Sequence, residues 1–222
     1  MPETAAPSPG AFEQTYRRLA DEGADGIVAI VISGDLSATG QAAELAAQAV
    51  KDVIPVRVID SRSVSMGQGL IAVAAARLAA AGKGMDDVAG AATDLVPRTH
   101  VYGALDTLEN LKKGGRIGGA QALLGSMLSI KPIIEVKDGK VEPESRQRTR
   151  SKALAYLAEK VSGQERIEQL AVLHGSAPDV EEFLDMISRK YPRDEVIVGE
   201  VGAVIGAHSG PRVIGVAFTL PH

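Results

Sequence analysis

Residues Gly26–Ile32 read GIVAIVI, seven positions without a charged or polar side chain and rich in β-branched residues. A strand with one wet face alternates polar and apolar positions. A strand that stays apolar throughout is covered on both faces, the condition of a parallel sheet flanked by helices. The neighbouring segments agree. Ser8 and Pro9 open a helix over Ala11–Ala20 that stops at Gly23, since proline is accommodated in a first helical turn. After GIVAIVI come a polar turn, Ser33–Gly40, an Ala-rich helix, Gln41–Val50, and a second strand, Pro55–Ile59. Met66–Ala81 and Met85–Val96 read as helices separated by Gly82 and Gly84. This alternation predicts an α/β fold whose first part, residues 1–98, is a parallel α/β/α sheet domain.

A boundary falls at Pro97–Thr99, and residues 99–222 form a second, mixed-sheet α/β domain. It begins with a strand, Val101–Ala104, and a helix ending at Lys113, followed by Gly114-Gly115-Arg116-Ile117 and a helix over Ala120–Leu128. Pro132–Val136 and the segment from Val141 flank Asp138-Gly139, a hairpin signal. A helix over Lys152–Val161 and a strand over Leu170–Leu173 follow. Ser176 and Asp179 then form a capping box at the head of a helix. Glu195–Val201 and Val213–Thr219 are the closing strands.

Composition narrows the function classes. The net charge is −4 and only 3% of residues are aromatic, so neither the basic field nor the stacking platforms of a general nucleic-acid binder are present. The chain lacks cysteine, which excludes disulfide and thiolate chemistry. Met1–Gly10 has no basic segment followed by an apolar one, and Leu70–Ala81 is interrupted by Arg77; neither a signal peptide nor an integral membrane segment is expected. The apolar material is mainly Ala, Val, Leu and Ile. Such a core can line a tunnel for an alkyl chain or simply fill an α/β fold.

Four places can carry chemistry. The turn Ser33-Gly34-Asp35-Leu36-Ser37-Ala38-Thr39-Gly40 joins the carboxyl end of a buried strand to a helix N-terminus, where ligands of open α/β sheets sit. Free N–H groups there suit a carboxylate or phosphate, with Ser37 and Thr39 as hydroxyl donors; a hydroxyl that only caps the helix explains the same residues. Gly114-Gly115 lets backbone approach a ligand closely and Arg116 adds a permanent planar donor, or the pair is a helix end with a solvated Arg. His208 lies in the Gly-rich loop Gly206–Pro211 as a ligand or relay candidate, whereas His174 is structural. Arg146, Arg148, Arg150 and Lys152 fall at every second position, one face of a strand, which suits an acidic partner or a charged hairpin edge. No metal-binding set, Walker loop or nucleophile elbow stands out.

Taken in order, TAAPSPGAF (Thr4–Phe12), SGDLSATGQ (Ser33–Gln41), VIDSRSVSMGQG (Val58–Gly69), DTLENLKKGGRI (Asp106–Ile117), GSMLSIKPII (Gly125–Ile134), DGKVEPESRQRTRSKAL (Asp138–Leu154), VLHGSAPDV (Val172–Val180) and GAVIGAHSGP (Gly202–Pro211) resemble the DegV family over essentially the whole chain. The resemblance implies a two-domain DegV-like fold and a cytoplasmic lipid-binding protein rather than an enzyme. It implies a long-chain fatty acid held in a buried tunnel, with no cofactor or metal. It further implies a partner, an ATP-dependent fatty acid kinase that phosphorylates the bound carboxylate for phospholipid synthesis. By match to the family pattern, Thr4 and Ser37 would bind the carboxylate, with Arg116 and His208 near the head group; Ser33 and Thr39 of the same turn are expected near it as well, and the charge of the stripe Arg146, Arg148, Arg150 and Lys152 could dock an acidic face of the kinase. The family's Leu-Ser-Gly-Thr reads Leu36-Ser37-Ala38-Thr39 here, and its Gly-Thr-His reads Gly206-Ala207-His208. The family also opens with a further α/β unit bearing a Thr-Asp-Ser turn, ahead of the point where this sequence starts. Two rivals use the same Ser/Gly turn: a phosphotransferase, which nucleotide binding would favour, and a module for another small acid, which would show no dependence on acyl-chain length.

Overall fold

The computed structural model describes residues 2–124 and 130–222. Its first layer contains α1 (Pro9–Asp21), β1 (Ile27–Val31), α2 (Thr39–Ala49), β2 (Val56–Asp60), α3 (Met66–Ala80) and α4 (Met85–Leu95). Ser8 caps α1 by accepting from the Ala11 N–H, with Pro9 at the first helical position. β1 and β2 pair in parallel, Ile27 opposite Val56 through Val31 opposite Asp60. α1 and α2 cover one face, where Tyr16, Ile27, Ala46 and Val50 cluster. α3 and α4 cover the other, where Ile71, Ala75, Val88 and Ala92 meet Val28 and Ile30. Coverage on both faces is the physical reason for the uninterrupted apolar run in β1.

A 3₁₀ turn at Val96–Arg98 leads into β3 (Thr99–Ala104), followed by α5 (Glu109–Lys113), a 3₁₀ segment (Gly118–Leu123), β4 (Lys131–Lys137), β5 (Lys140–Gln147), α6 (Arg150–Ser162), β6 (Gln169–His174), α7 (Val180–Ser188), β7 (Val196–Glu200), α8 (Ala203–Ser209) and β8 (Ile214–Thr219). The strands form one mixed sheet in the order β5-β4-β3-β8-β6-β7. Only β6 and β7 run parallel; the other neighbours are antiparallel. The turn between β4 and β5 places Asp138 and Gly139 at φ 49° and 84°, the left-handed pair that a two-residue hairpin requires.

α6 and α7 cover one face of this sheet, with Leu154, Leu157, Phe183 and Phe218 at the centre of the packing. The other face is met by α3, whose Leu70 seats on Ala171 and Ala217. Helix α3 is therefore shared. Leu70 serves the mixed sheet and Ile71 the parallel one, because adjacent residues on a helix point about 100° apart.

Four expectations need correction. The helix over Ala120–Leu128 is instead a 3₁₀ segment ending at Leu123, laid against β5 so closely that a side chain at Gly118 would overlap the Val141 carbonyl; residues 125–129 lie outside the described residues. Ser176 does not cap α7. It sits at φ 52°, and Asp179 occupies the cap with its carboxylate held by both Nε and Nη2 of Arg150 at 2.8 and 3.0 Å. The basic stripe is not one strand face: β5 ends at Gln147 and Thr149 caps α6 by accepting from the Lys152 N–H, so Arg150 and Lys152 are helical. His208 lies on a helix, α8, rather than in a loop, with Gly210 ending it at φ 77°.

Candidate functional site

The turn after β1 is clamped by the hairpin of the other sheet. Ser33, 1% exposed, donates to the Gly139 carbonyl at 2.7 Å and accepts from the Asp35 N–H at 3.2 Å. Arg62 donates to the Asp138 carbonyl at 2.7 Å. A Cβ on Gly139 would stand 2.6 Å from Ser33 Oγ, so glycine is required there by contact as well as by φ. With its ends fixed in this way, the turn carries Ser37 and Thr39 into α2. Their hydroxyls lie 2.8 Å apart, and the Thr39 N–H donates to Ser37 Oγ at 3.3 Å.

Across from them, His208 Nε2 lies 2.8 Å from Thr4 Oγ1. The other ring nitrogen, Nδ1, is buried without a hydrogen-bond partner among the described residues. A bare acceptor is tolerated in such a place more readily than an orphaned N–H, which assigns the proton to Nε2. Nε2 then donates to Thr4 Oγ1, and the Thr4 hydroxyl keeps its own proton for a further acceptor. Burial lowers the His208 pKa and the nearby Arg116 charge lowers it further, so the imidazole is held in its neutral form. Arg116 is fixed by donating from Nε to the Leu36 carbonyl at 3.1 Å and from Nη1 to the Gly114 carbonyl at 2.7 Å. Gly114 backs the imidazole, and a side chain there would overlap it.

Thr4, Ser37, Thr39, Arg116 and His208 line a single cavity of about 320 Å³. Apart from Ser209 its remaining walls are apolar, among them Ile32, Leu36 and Val141. Next to it lies a further space of about 80 Å³ bordered by Val101, Gly103, Leu173 and Gly215. Val64, Leu105, Ile134, Val136, Ile205 and Ser209 line both, so the two spaces adjoin along a shared wall as the two parts of a passage. One end offers hydroxyls, an imidazole and a guanidinium; the other is almost wholly aliphatic. That profile fits an amphiphile with an acidic head and a hydrocarbon tail.

A larger open groove of about 800 Å³ lies beside the hairpin, lined by Asp60, Arg62, His100, Glu135, Lys137 and Asp138. Its charges are of both signs and several already have partners: Asp60 accepts from the Arg62 and Gly34 N–H groups, and His100 Nδ1 lies 3.9 Å from Glu135. Each of these contacts stays within one layer, and the link across is Arg62, which donates to the Asp138 carbonyl.

The residues nominated from sequence thus divide. Ser33 uses its hydroxyl to clamp the hairpin and does not line the cavity. Arg150 is taken up by Asp179, and Arg146 reaches the Ala122 carbonyl at 3.5 Å. The hydrocarbon walls, Leu105, Ile134, Val136 and Ile205, were missed. The available signal was the apolar alternation of β3 and β4, which marks a buried face without telling whether that face is filled by protein. Among the described residues, no helix is long and apolar enough to cross a membrane.

The family model described as "Uncharacterised protein, DegV family" matches residues 1–220. The chain belongs to the DegV family. A DegV domain-containing protein of Streptomyces coelicolor is 44% identical over 221 residues, covering 97% of this chain and 78% of its own length. Among solved structures, a DegV family protein from Thermus thermophilus, described in terms of fatty acid binding, superposes with a TM-score of 0.88 at 37% identity, covering 99% of this chain and 80% of that one. DegV from Bacillus subtilis, described as a fatty acid binding protein, superposes with a TM-score of 0.85 at 30% identity, covering 99% and 79%. The DegV fold, a small parallel sheet beside a larger mixed one, is therefore shared along nearly the whole chain.

Proposed function

We propose that this DegV-family protein binds one long-chain fatty acid and presents its carboxylate to a partner, an ATP-dependent fatty acid kinase in the cytoplasm, without catalysing a reaction itself. The observation that carries the reading is the joining of the polar cluster Thr4, Ser37, Thr39, Arg116 and His208 to an aliphatic passage between the two sheets. Thr4 and Ser37 hydrogen-bond the carboxylate, Arg116 offsets its charge, and neutral His208 fixes the orientation of the Thr4 hydroxyl. Residues 1–98 and 99–222 act as the two domains that enclose the ligand. The kinase step rests on the family resemblance, and the basic residues Arg146, Arg148, Arg150 and Lys152 are the part of the docking idea that the fold weakens, because they share no strand face. The test is native mass spectrometry of the purified protein followed by titration with fatty acids of increasing length. A co-purified fatty acid and affinity that climbs by about 0.8 kcal/mol per methylene support the reading, whereas affinity independent of length sinks it.

A further inference from the structure

On the side of the mixed sheet turned toward α3, two ladder rungs lie next to each other. The first joins Ile134, Gly103, Gly215 and Leu173 across β4, β3, β8 and β6. The second joins Val136, Val101, Ala217 and Ala171. Helix α3 comes down on the second rung: fully buried Leu70 seats on Ala171 and Ala217, and Gly67 approaches Val101 so closely that a Cβ would overlap its side chain. Gly103 and Gly215 on the first rung border the inner end of the passage. β3 and β8 are the central strands of the sheet, where glycine weakens a strand; glycine in such a place marks a close approach by another group.

We propose that the Gly103–Gly215 pair sets how deep an acyl chain can run, with Val101 and Leu70 as the stop beyond it. This inference rests on the fatty-acid reading above. Strand alternation places Gly103 on the passage side, since Tyr102 and Ala104 belong to the packing under α6 while Leu105 forms a passage wall. A Cβ on Gly103 would stand 3.5 Å from Leu105 Cδ1 and 3.6 Å from Ile134 Cγ1, ordinary contact with two walls. A side chain there occupies the passage rather than displacing backbone. A Cβ on Gly215 would meet the Tyr102 carbonyl at 3.3 Å, so Gly103 is the position to vary.

The experiment measures affinity for saturated fatty acids from octanoate upward in wild type, Gly103→Ala and Gly103→Val. Wild-type affinity rises about fourfold per methylene until the chain reaches the stop. Both variants are expected to match wild type for short acids and to stop climbing earlier, by about one carbon for Ala and about two or three for Val, in step with the carbons added. An equal loss at every chain length would overturn the depth role and leave fatty-acid binding standing. A wild-type series flat in chain length would overturn the reading beneath it. Should Gly103→Val fail to fold, the single methyl of Gly103→Ala decides, and an unchanged stopping point overturns the proposal.

Discussion

Thr4 Oγ1 and His208 Nε2 stand 2.8 Å apart, although 204 positions of sequence separate them. The contact ties the segment before α1 to α8 and aims one hydroxyl proton at the mouth of the passage. Replacing Thr4 with valine keeps the shape and removes both the donor and the acceptor. Thr4→Val should weaken fatty-acid binding by about 1.5–3 kcal/mol, the range for hydrogen bonds to a charged group. Calorimetric titration checks it, and unchanged affinity would remove Thr4 from the carboxylate site.

Ser37 has two duties that can be separated. Its oxygen accepts from the Thr39 N–H, which steadies the start of α2, and its hydroxyl, paired with that of Thr39 at 2.8 Å, lines the cavity. Ser37→Ala should lower fatty-acid affinity by about 1.5–3 kcal/mol and fold stability by about 1 kcal/mol, as for a lost cap. A lowered melting temperature with wild-type affinity would reduce Ser37 to its turn-forming role.

His208 titrates with a known sign. The fold lowers its pKa, so below the ordinary value near about 6.5 the unfolded chain binds more protons than the folded one. The stability owed to neutral His208 is therefore complete above that pH and declines as the solution becomes more acidic. A bound carboxylate favours the charged imidazole, so ligand should blunt the decline. Thermal unfolding from about pH 7.5 down to about pH 5 should show a steeper loss for wild type than for His208→Gln without ligand. Parallel curves for the two proteins contradict the assignment.

Arg150 and Asp179 form a bidentate pair whose side chains are 14% and 17% exposed. The Arg150 hydrogen bond lowers the Asp179 pKa, with burial opposing it. Arg150→Met leaves that carboxylate without its cation and should destabilise the protein by about 3 kcal/mol, the low end for breaking a buried pair. Because the folded carboxyl is depressed, its stabilisation is present above its ordinary pKa near about 4 and is lost as pH falls below it. Urea unfolding at neutral pH should show the loss, and the gap between wild type and variant should narrow in acid. A constant gap would mean that the pair contributes by packing alone.

Elements announced by unbroken runs, such as β1 and the hairpin at Asp138-Gly139, were legible because local chemistry and the fold agree there. α8 was not: Gly202, Gly206 and Gly210 within nine residues signal a loop, and the short helix between them is held by packing around Ala207 and by the Asn110 side chain donating to the Ala207 carbonyl. The basic stripe misled because period two ignores the cap at Thr149, which turns the chain from strand to helix in mid-pattern. Ser33 and Ser37 stand four residues apart in one turn. Their sequence does not say which one faces the cavity, because the partner of Ser33, Gly139, lies more than a hundred positions away.

The position of β8 bears on how the molecule is made. It is the eighth strand in the chain, yet it lies between β3 and β6 and supplies the ladder that joins them. While a ribosome is still adding residues 214–219, β3 and β6 have no common neighbour, and His208 has only just been added opposite a Thr4 made some two hundred residues earlier. The parallel layer can settle during synthesis, because its two strands and four helices are all complete by Leu95. The mixed sheet and the aliphatic passage must form late and together, since contacts of such long range close only after the intervening chain exists. Nascent chains should therefore take up fatty acid abruptly near the end of translation rather than gradually along it.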